Sequence, residues 1–265
     1  MRRRTLLGLF GAAALARPAR AQQAGRFYRI GVLTGAGALH AAQQATRTIP
    51  IIGGADDMVG EGLVKSFAHP EGNLTGVGIL ASELDRKRLE ILQQLLPSAR
   101  RLGVLAGKDA ATPAGVEALR AQVRGQGVEL VVRVIQKPEE IAPALAAIKA
   151  AGAAGVDVLA SALLFFRRRI VLEQSAALRL PAIYQWPAMA ETGDGGLIGY
   201  GPNLNSIYGD QLARIAAEIL RGTKPADIPV ENPERFYLTV NLKTANELGV
   251  TVPRSLLAQA DEVVE

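Results

Sequence analysis

From residue 28 onward, short runs of consecutive apolar residues alternate with longer stretches in which apolar positions recur every three or four residues. The first kind has the length of a buried strand, and the second has the period of a helix lying on a sheet. Residues 28–34 (YRIGVLT), 48–53 (TIPIIG) and 73–79 (NLTGVGI) read as strands, with an Ala-rich helix over 36–46 and another helix over 59–67 between them. Further on, Leu89, Leu92 and Leu96 share one face of a helix over 86–96 that Pro97 stops. Residues 101–106 and 128–135 read as strands, and the helix between them has Thr112 as N-cap and Pro113 at its first position. A helix over 138–151 opens with Glu139 and Glu140, as its dipole favours. Strands over 156–161, 182–184 and 196–200, a helix over 167–178, and the strongly amphipathic run Leu204, Ile207, Tyr208, Leu212, Ile215, Ile219 follow. A strand over 236–241 and helical segments over 242–248 and 254–260 end the chain. Such alternation specifies α/β architecture with parallel sheets and right-handed crossovers.

Residues 181–202 (PAIYQWPAMAETGDGGLIGYGP) hold two of these apolar runs, each ending in aromatics. In an open parallel sheet a ligand sits beyond the carboxyl ends of the strands, so Tyr184, Trp186 and Tyr200 fall where one would be held. The competing reading makes the same rings core or lid.

Charge changes the picture only at the N-terminus. The formal net charge of +5 suggests an acidic partner, yet residues 1–21 contain five arginines and no acid, and the remainder has 25 basic and 25 acidic residues. The balance beyond residue 21 gives no reason to expect nucleic acid. The first segment reads as an export leader, with Arg2, Arg3 and Arg4, an apolar run over 6–16, and Ala19-Arg20-Ala21 as a small-x-small cleavage site. Its apolar run is too short to span a bilayer as a helix, so a retained membrane anchor is not expected. Cleavage after Ala21 would leave a periplasmic chain. Without cysteine it carries neither a disulfide nor a lipid-modified thiol.

Enzyme readings find weak support. Gly35-Ala36-Gly37-Ala38-Leu39-His40 follows a strand, opens a helix and precedes Asp56, as in a dinucleotide-binding loop of an NAD-dependent oxidoreductase, but His40 stands where the third glycine belongs. Ser161 lies outside a G-x-S-x-G elbow, so a hydrogen-bonding role suits it better than a nucleophilic one. His40 and His69 are the only histidines and neither has a partner at ligand spacing, which leaves no zinc motif. Arg167-Arg168-Arg169 reads as a solvated charge run at a helix start.

Several stretches together carry a family likeness: TIPIIGGADD, GLVKSFAHPEGNLTGV, ELDRKRLEILQQLLP, LPAIYQWPAMAETGDGGLIGYGPNL, ILRGTKPADIPVENPERFYLTVNLKTANELGVTVP and SLLAQADEVVE. In this order they resemble the periplasmic substrate-binding proteins of ABC transporters related to the tryptophan-binding type. The resemblance implies a type I periplasmic-binding fold of two Rossmann-like lobes with parallel sheets. Lobe 1 would comprise 27–82 plus 195–232, and lobe 2 would comprise 83–194 plus 233–265. The connections near 80–84, 192–196 and 231–236 would act as hinges. Family members carry two more strand and helix units between the first strand and TIPI, so the first lobe is expected to be truncated here. The implied activity is capture of a small organic ligand, an aromatic or other amino acid, without cofactor, metal or catalysis, and delivery to a permease and its ATPase. Thr34, Gly35, Asp56 and Asp57 would bind from lobe 1, Asp109, Ser161, Tyr184 and Trp186 from lobe 2, with Tyr200 after the return. Each carboxylate has a helix-capping role as an equal alternative. The truncation also leaves open a non-transporting remnant or a sensor partner with impaired binding.

Overall fold

The computed structural model describes residues 30–265 except Asp109 and Asp194. The expected leader, residues 27–29 and candidate Asp109 lie outside the described residues.

The strands form two sheets. β1 (Gly31–Thr34), β2 (Ile51–Ala55) and β3 (Leu74–Gly78) pair in parallel in that order. α1 (Ala36–Ala45) sets Leu39 into one face of this small sheet, beside Ile51, Met58 and Leu63. Only glycine fits at two of its contacts. A Cβ on Gly53 would stand 2.3 Å from the Leu39 side chain, and one on Gly76, at φ 155°, would stand 1.8 Å from the Gly53 carbonyl oxygen. The helix expected over 59–67 is absent. Gly60 and Gly62 weaken it, Gly62 adopts φ 69°, and the Asp57 side chain closes a turn by accepting from the amides of Val59 and Gly60.

After β3 the chain turns at Leu80, whose φ of 57° is left-handed, into α2 (Ala81–Leu95). The large sheet that follows contains β4 (Arg101–Gly107), β5 (Glu129–Ile135), β6 (Val156–Val158), β7 (Ala182–Tyr184), β8 (Ile198–Pro202), β9 (Phe236–Asn241) and β10 (Glu262–Val264), in the order β10-β9-β8-β7-β6-β4-β5. Only the β8–β9 pairing is antiparallel. One face of this sheet carries α2, α3 (Pro113–Arg124), α8 (Leu242–Leu248) and α9 (Arg254–Leu257), through Leu89, Leu92, Leu119, Ala245 and Leu256. The other carries α4 (Ile141–Ala150), α5 (Ala162–Phe166) and α6 (Arg168–Ala177), through Ile141, Leu145, Ile148, Leu164 and Val171. Burying each such aliphatic side chain contributes about 2 kcal/mol, so both layers are needed to cover seven strands.

The assignment of residues 195–202 to the first unit needs correction. β8 pairs with β7 and β9 inside the large sheet, and residues 192–196 form a loop there, with the Gly196 amide bonded to the Met189 carbonyl. The chain passes to the small sheet only after Pro202. There a π-helical turn (Ser206–Gln211) leads into α7 (Leu212–Leu220), whose Leu212, Ile215 and Ile219 pack with Ile52 and Val77. It returns through 228–235 to β9. Three connections therefore join the two sheets.

Candidate functional site

The crossover at Leu80 brings the carboxyl ends of both sets of strands together. The Leu80 amide donates to the Asp56 carbonyl at the end of β2, and Ile79 packs in the large-sheet core with Leu105 and Trp186. One turn into α2, Asp85 accepts from the backbone of Ala160, which follows β6. The end of β2 at Asp56 is thus linked, through Leu80 and Asp85, to the Ala160–Ser161 segment that follows β6 on the other sheet. This is where a doubly wound sheet offers a crevice.

On the small sheet, Thr34 ends β1 and Gly35 turns the chain at φ 84°, with its amide on the Gly54 carbonyl. Tyr208, a residue 39% exposed, donates its hydroxyl to Thr34 Oγ1 at 3.1 Å. The sequence placed Tyr208 only on a helical face. The π-helical turn that widens this helix start and presents the ring has no pattern signature. Asp56 is half-buried beside the crossover, whereas exposed Asp57 closes the turn after β2, where no helix follows for it to cap. Glu61 stands close to Asp56, Asp57 and His40, and burial raises its carboxyl above the usual range. Its backbone carbonyl meets His40 Nε2 at 3.0 Å.

On the large sheet, Ser161 caps α5, and its backbone amide donates to Gln185 Oε1 at 2.7 Å. Phe165 and Trp186 meet edge to face at 6.0 Å, and Phe166, largely exposed, continues the aromatic row at 5.7 Å from Phe165. Trp186 is 7% exposed, and its indole N–H has no hydrogen-bond acceptor among the described residues. Two nominated aromatics do not reach the strand-end surface. Tyr184 is 2% exposed in the core, where burial pushes its phenol up to about 12 against a smaller lowering from Ser175. Tyr200 sits within β8 rather than beyond it, half-buried against Phe236, because the strand runs on to Pro202.

A charged cluster beneath the crossover went unforeseen. Arg88, fully buried on α2, pairs with Asp85, donates to the Tyr200 carbonyl at 3.2 Å and has Asp157 of β6 at 3.9 Å. Burial raises both carboxyls, and that of wholly buried Asp157 stands well above the ordinary range. Asp157 accepts no hydrogen bond among the described residues. Of the two carboxyls facing this guanidinium, that of Asp157 has its charged form disfavoured more strongly by burial. The cluster ties α2 to β6 and β8 immediately after the crossover. A cavity of about 850 Å³ lies along two of the connections, lined by Asn203, Asp210, Arg214, Glu231 and Arg235. It contains none of the nominated residues, and its arginines are already paired, Arg214 with Glu231 and Arg235 with Asp261.

Comparison with known proteins agrees with this architecture. A family model described as ABC transporter substrate binding protein matches residues 14–264. A tyrosine-binding protein of Clostridioides difficile is 28% identical over 215 residues, which cover 79% of this chain and 60% of that protein. The chain thus spans well under two thirds of the length of this curated relative. Among solved structures, the ABC domain from Streptococcus pneumonia in complex with L-Trp has a TM-score of 0.74 at 24% identity, covering 91% of this chain and 80% of the other. A conserved domain protein from Vibrio cholerae has a TM-score of 0.75 at 24% identity, covering 88% and 78%. These likenesses show the α/β fold of type I periplasmic binding proteins. The matched family model covers nearly the whole sequence, and the chain belongs to the ABC transporter substrate binding protein family.

Proposed function

We propose that this chain is an exported substrate-binding protein that captures a small amino acid, in the first place an aromatic one, between its two sheets and presents it to an ABC permease and its ATPase. The observation that carries the reading is the link at the Leu80 crossover between Asp56 after β2 and the Ala160–Ser161 segment after β6, with Thr34 and Gly35 following the neighbouring β1 and Trp186 following the neighbouring β7. The two sheets with their helices act as lobes, and the three connections act as the hinge. Asp56 supplies the carboxylate for a ligand ammonium. The Tyr208 hydroxyl and Thr34 supply neutral polar contacts, and the row Phe166, Phe165, Trp186 supplies apolar edges for a ring. The tyrosine-binding relative and the fold shared with an L-Trp complex favour aromatic cargo. The basic and apolar pattern of residues 1–21, read as an export leader, fits a secreted binding protein.

Thermal unfolding with a panel of amino acids tests this. A ligand at 100 times its dissociation constant should stabilise the folded chain by about 2.7 kcal/mol and raise the midpoint by several degrees. A shift with L-tyrosine or L-tryptophan exceeding that with L-leucine supports the proposal. A cooperative transition unmoved by every amino acid favours the second reading, a remnant or sensor with impaired binding. That reading draws on the three-stranded small sheet and on the shorter length relative to the curated relative.

A further inference from the structure

The two sheets have four edges, and three of them are closed or charged. The outer edge of β3 is covered by the returning connection, since Gly78 donates to the Glu231 carbonyl at 2.7 Å and Glu231 donates to that of Gly76 at 2.9 Å. In the large sheet, β5 carries Glu129 and Arg133, and β10 carries Glu262. Such coverings and charges keep sheet edges from pairing with other chains. Among the described residues β1 has neither. It pairs there with β2 alone, and the amides of Gly31 and Gly35 point inward to the carbonyls of Pro50 and Gly54. Alternation along the strand therefore turns the N–H and C=O groups of Val32 and Thr34 outward. The Val32 side chain is 58% exposed. From Ile30 to Thr46, the whole of β1 and α1, there is no Asp, Glu, Lys or Arg, and His40 is the only titratable side chain.

We infer that the bare β1 edge of the small sheet pairs with β1 of a second copy of this chain, antiparallel about a two-fold axis near Leu33, to make a continuous six-stranded sheet. A second copy is the occupant that the charge pattern favours. A two-fold axis sets each layer against itself, and the α1 layer, which has no acidic or basic side chain, meets no like charge there. The outward groups of Val32 in one copy fall opposite those of Thr34 in the other, which gives four backbone hydrogen bonds. The interface is short, one four-residue strand with its helix alongside, so the dimer is weak and concentration-dependent. This inference does not depend on what the chain binds.

The test combines sedimentation velocity of the full chain, from micromolar to near-millimolar concentration, with amide hydrogen exchange. Expected are a twofold rise in apparent mass and, in parallel, slower exchange at the Val32 and Thr34 amides. Val32→Lys should abolish the rise, because it puts a charge on the pairing edge and sets the two lysines as diagonal neighbours across the axis. Val134→Lys on the already charged β5 edge, at a site 49% exposed, should leave it unchanged. A monomer at every concentration overturns the inference, as does association that survives Val32→Lys or that builds species larger than two copies. Should Val32→Lys fail to fold, the exchange measurement on the unaltered chain decides alone. Protection at Val32 and Thr34 that does not change with concentration counts against the pairing.

Discussion

Asp157 is the residue with the clearest consequence for stability. Burial raises its carboxyl well above the ordinary value of 3.8, so the folded chain holds that proton more tightly than the unfolded chain does. Its stabilising contribution is complete below the ordinary value and is lost as pH rises through the raised one. The urea midpoint of the unaltered chain should therefore fall between about pH 5 and about pH 8 by more than that of Asp157→Asn, which has no proton to lose. Equal slopes would show that Asp157 is ionised throughout. Asp56→Asn should weaken capture of an amino acid roughly 10- to 100-fold, the worth of a hydrogen bond to a charged group. Binding unaffected by Asp56→Asn would move the ammonium contact to another side chain. The sequence nominated Tyr184, Trp186 and Tyr200 by their place at strand ends, and Thr34, Gly35 and Asp56 through the family resemblance. It could not tell that Tyr184 turns into the core beside Ser175 while Tyr208 turns out toward Thr34, because strand twist and a π-helical turn decide those directions.

Among the elements, those with local signals were legible. Thr112 accepts from the Gly115 amide at 3.0 Å and Pro113 opens α3, as the sequence indicates. Thr112→Ala should cost about 1 kcal/mol in urea unfolding, and a neutral result would show that the cap is replaced by water. The strands β7 and β9 and the helix α8 likewise follow from apolar runs and flanking residues. The misreadings came from contacts far apart in sequence. The helix expected over 59–67 gave way to turns held by Asp57. β8 joined the large sheet because β9, thirty-odd residues later, pairs with it. Close packing between β2 and β3 is equally invisible in the sequence, yet Gly76→Ala would set a methyl against the Gly53 carbonyl. That substitution should destabilise the fold by about 3 kcal/mol, at the upper end of ordinary overpacking, and a stable variant would mean that the two strands can separate.

For the whole molecule, the α/β class and the family were legible because nearly every segment of the chain carries a matching stretch in order. The arrangement of connections was less so, since only pairing shows that residues 203–206, and not 192–196, leave the large sheet. The small sheet has three strands and still presents Thr34, Gly35 and Asp56 at its carboxyl end, because these follow β1 and β2 directly. The central claim is that this end works with the strand ends of the large sheet as one binding crevice. Isothermal titration of the unaltered chain with L-tyrosine and L-tryptophan tests it most directly. One saturable site per chain, weakened when Asp56 is replaced by Asn and again when Trp186 is replaced by Ala, is the result predicted, since the two residues lie on different sheets. No heat with either amino acid, or binding that responds to one of these substitutions and ignores the other, would contradict a crevice shared between the sheets.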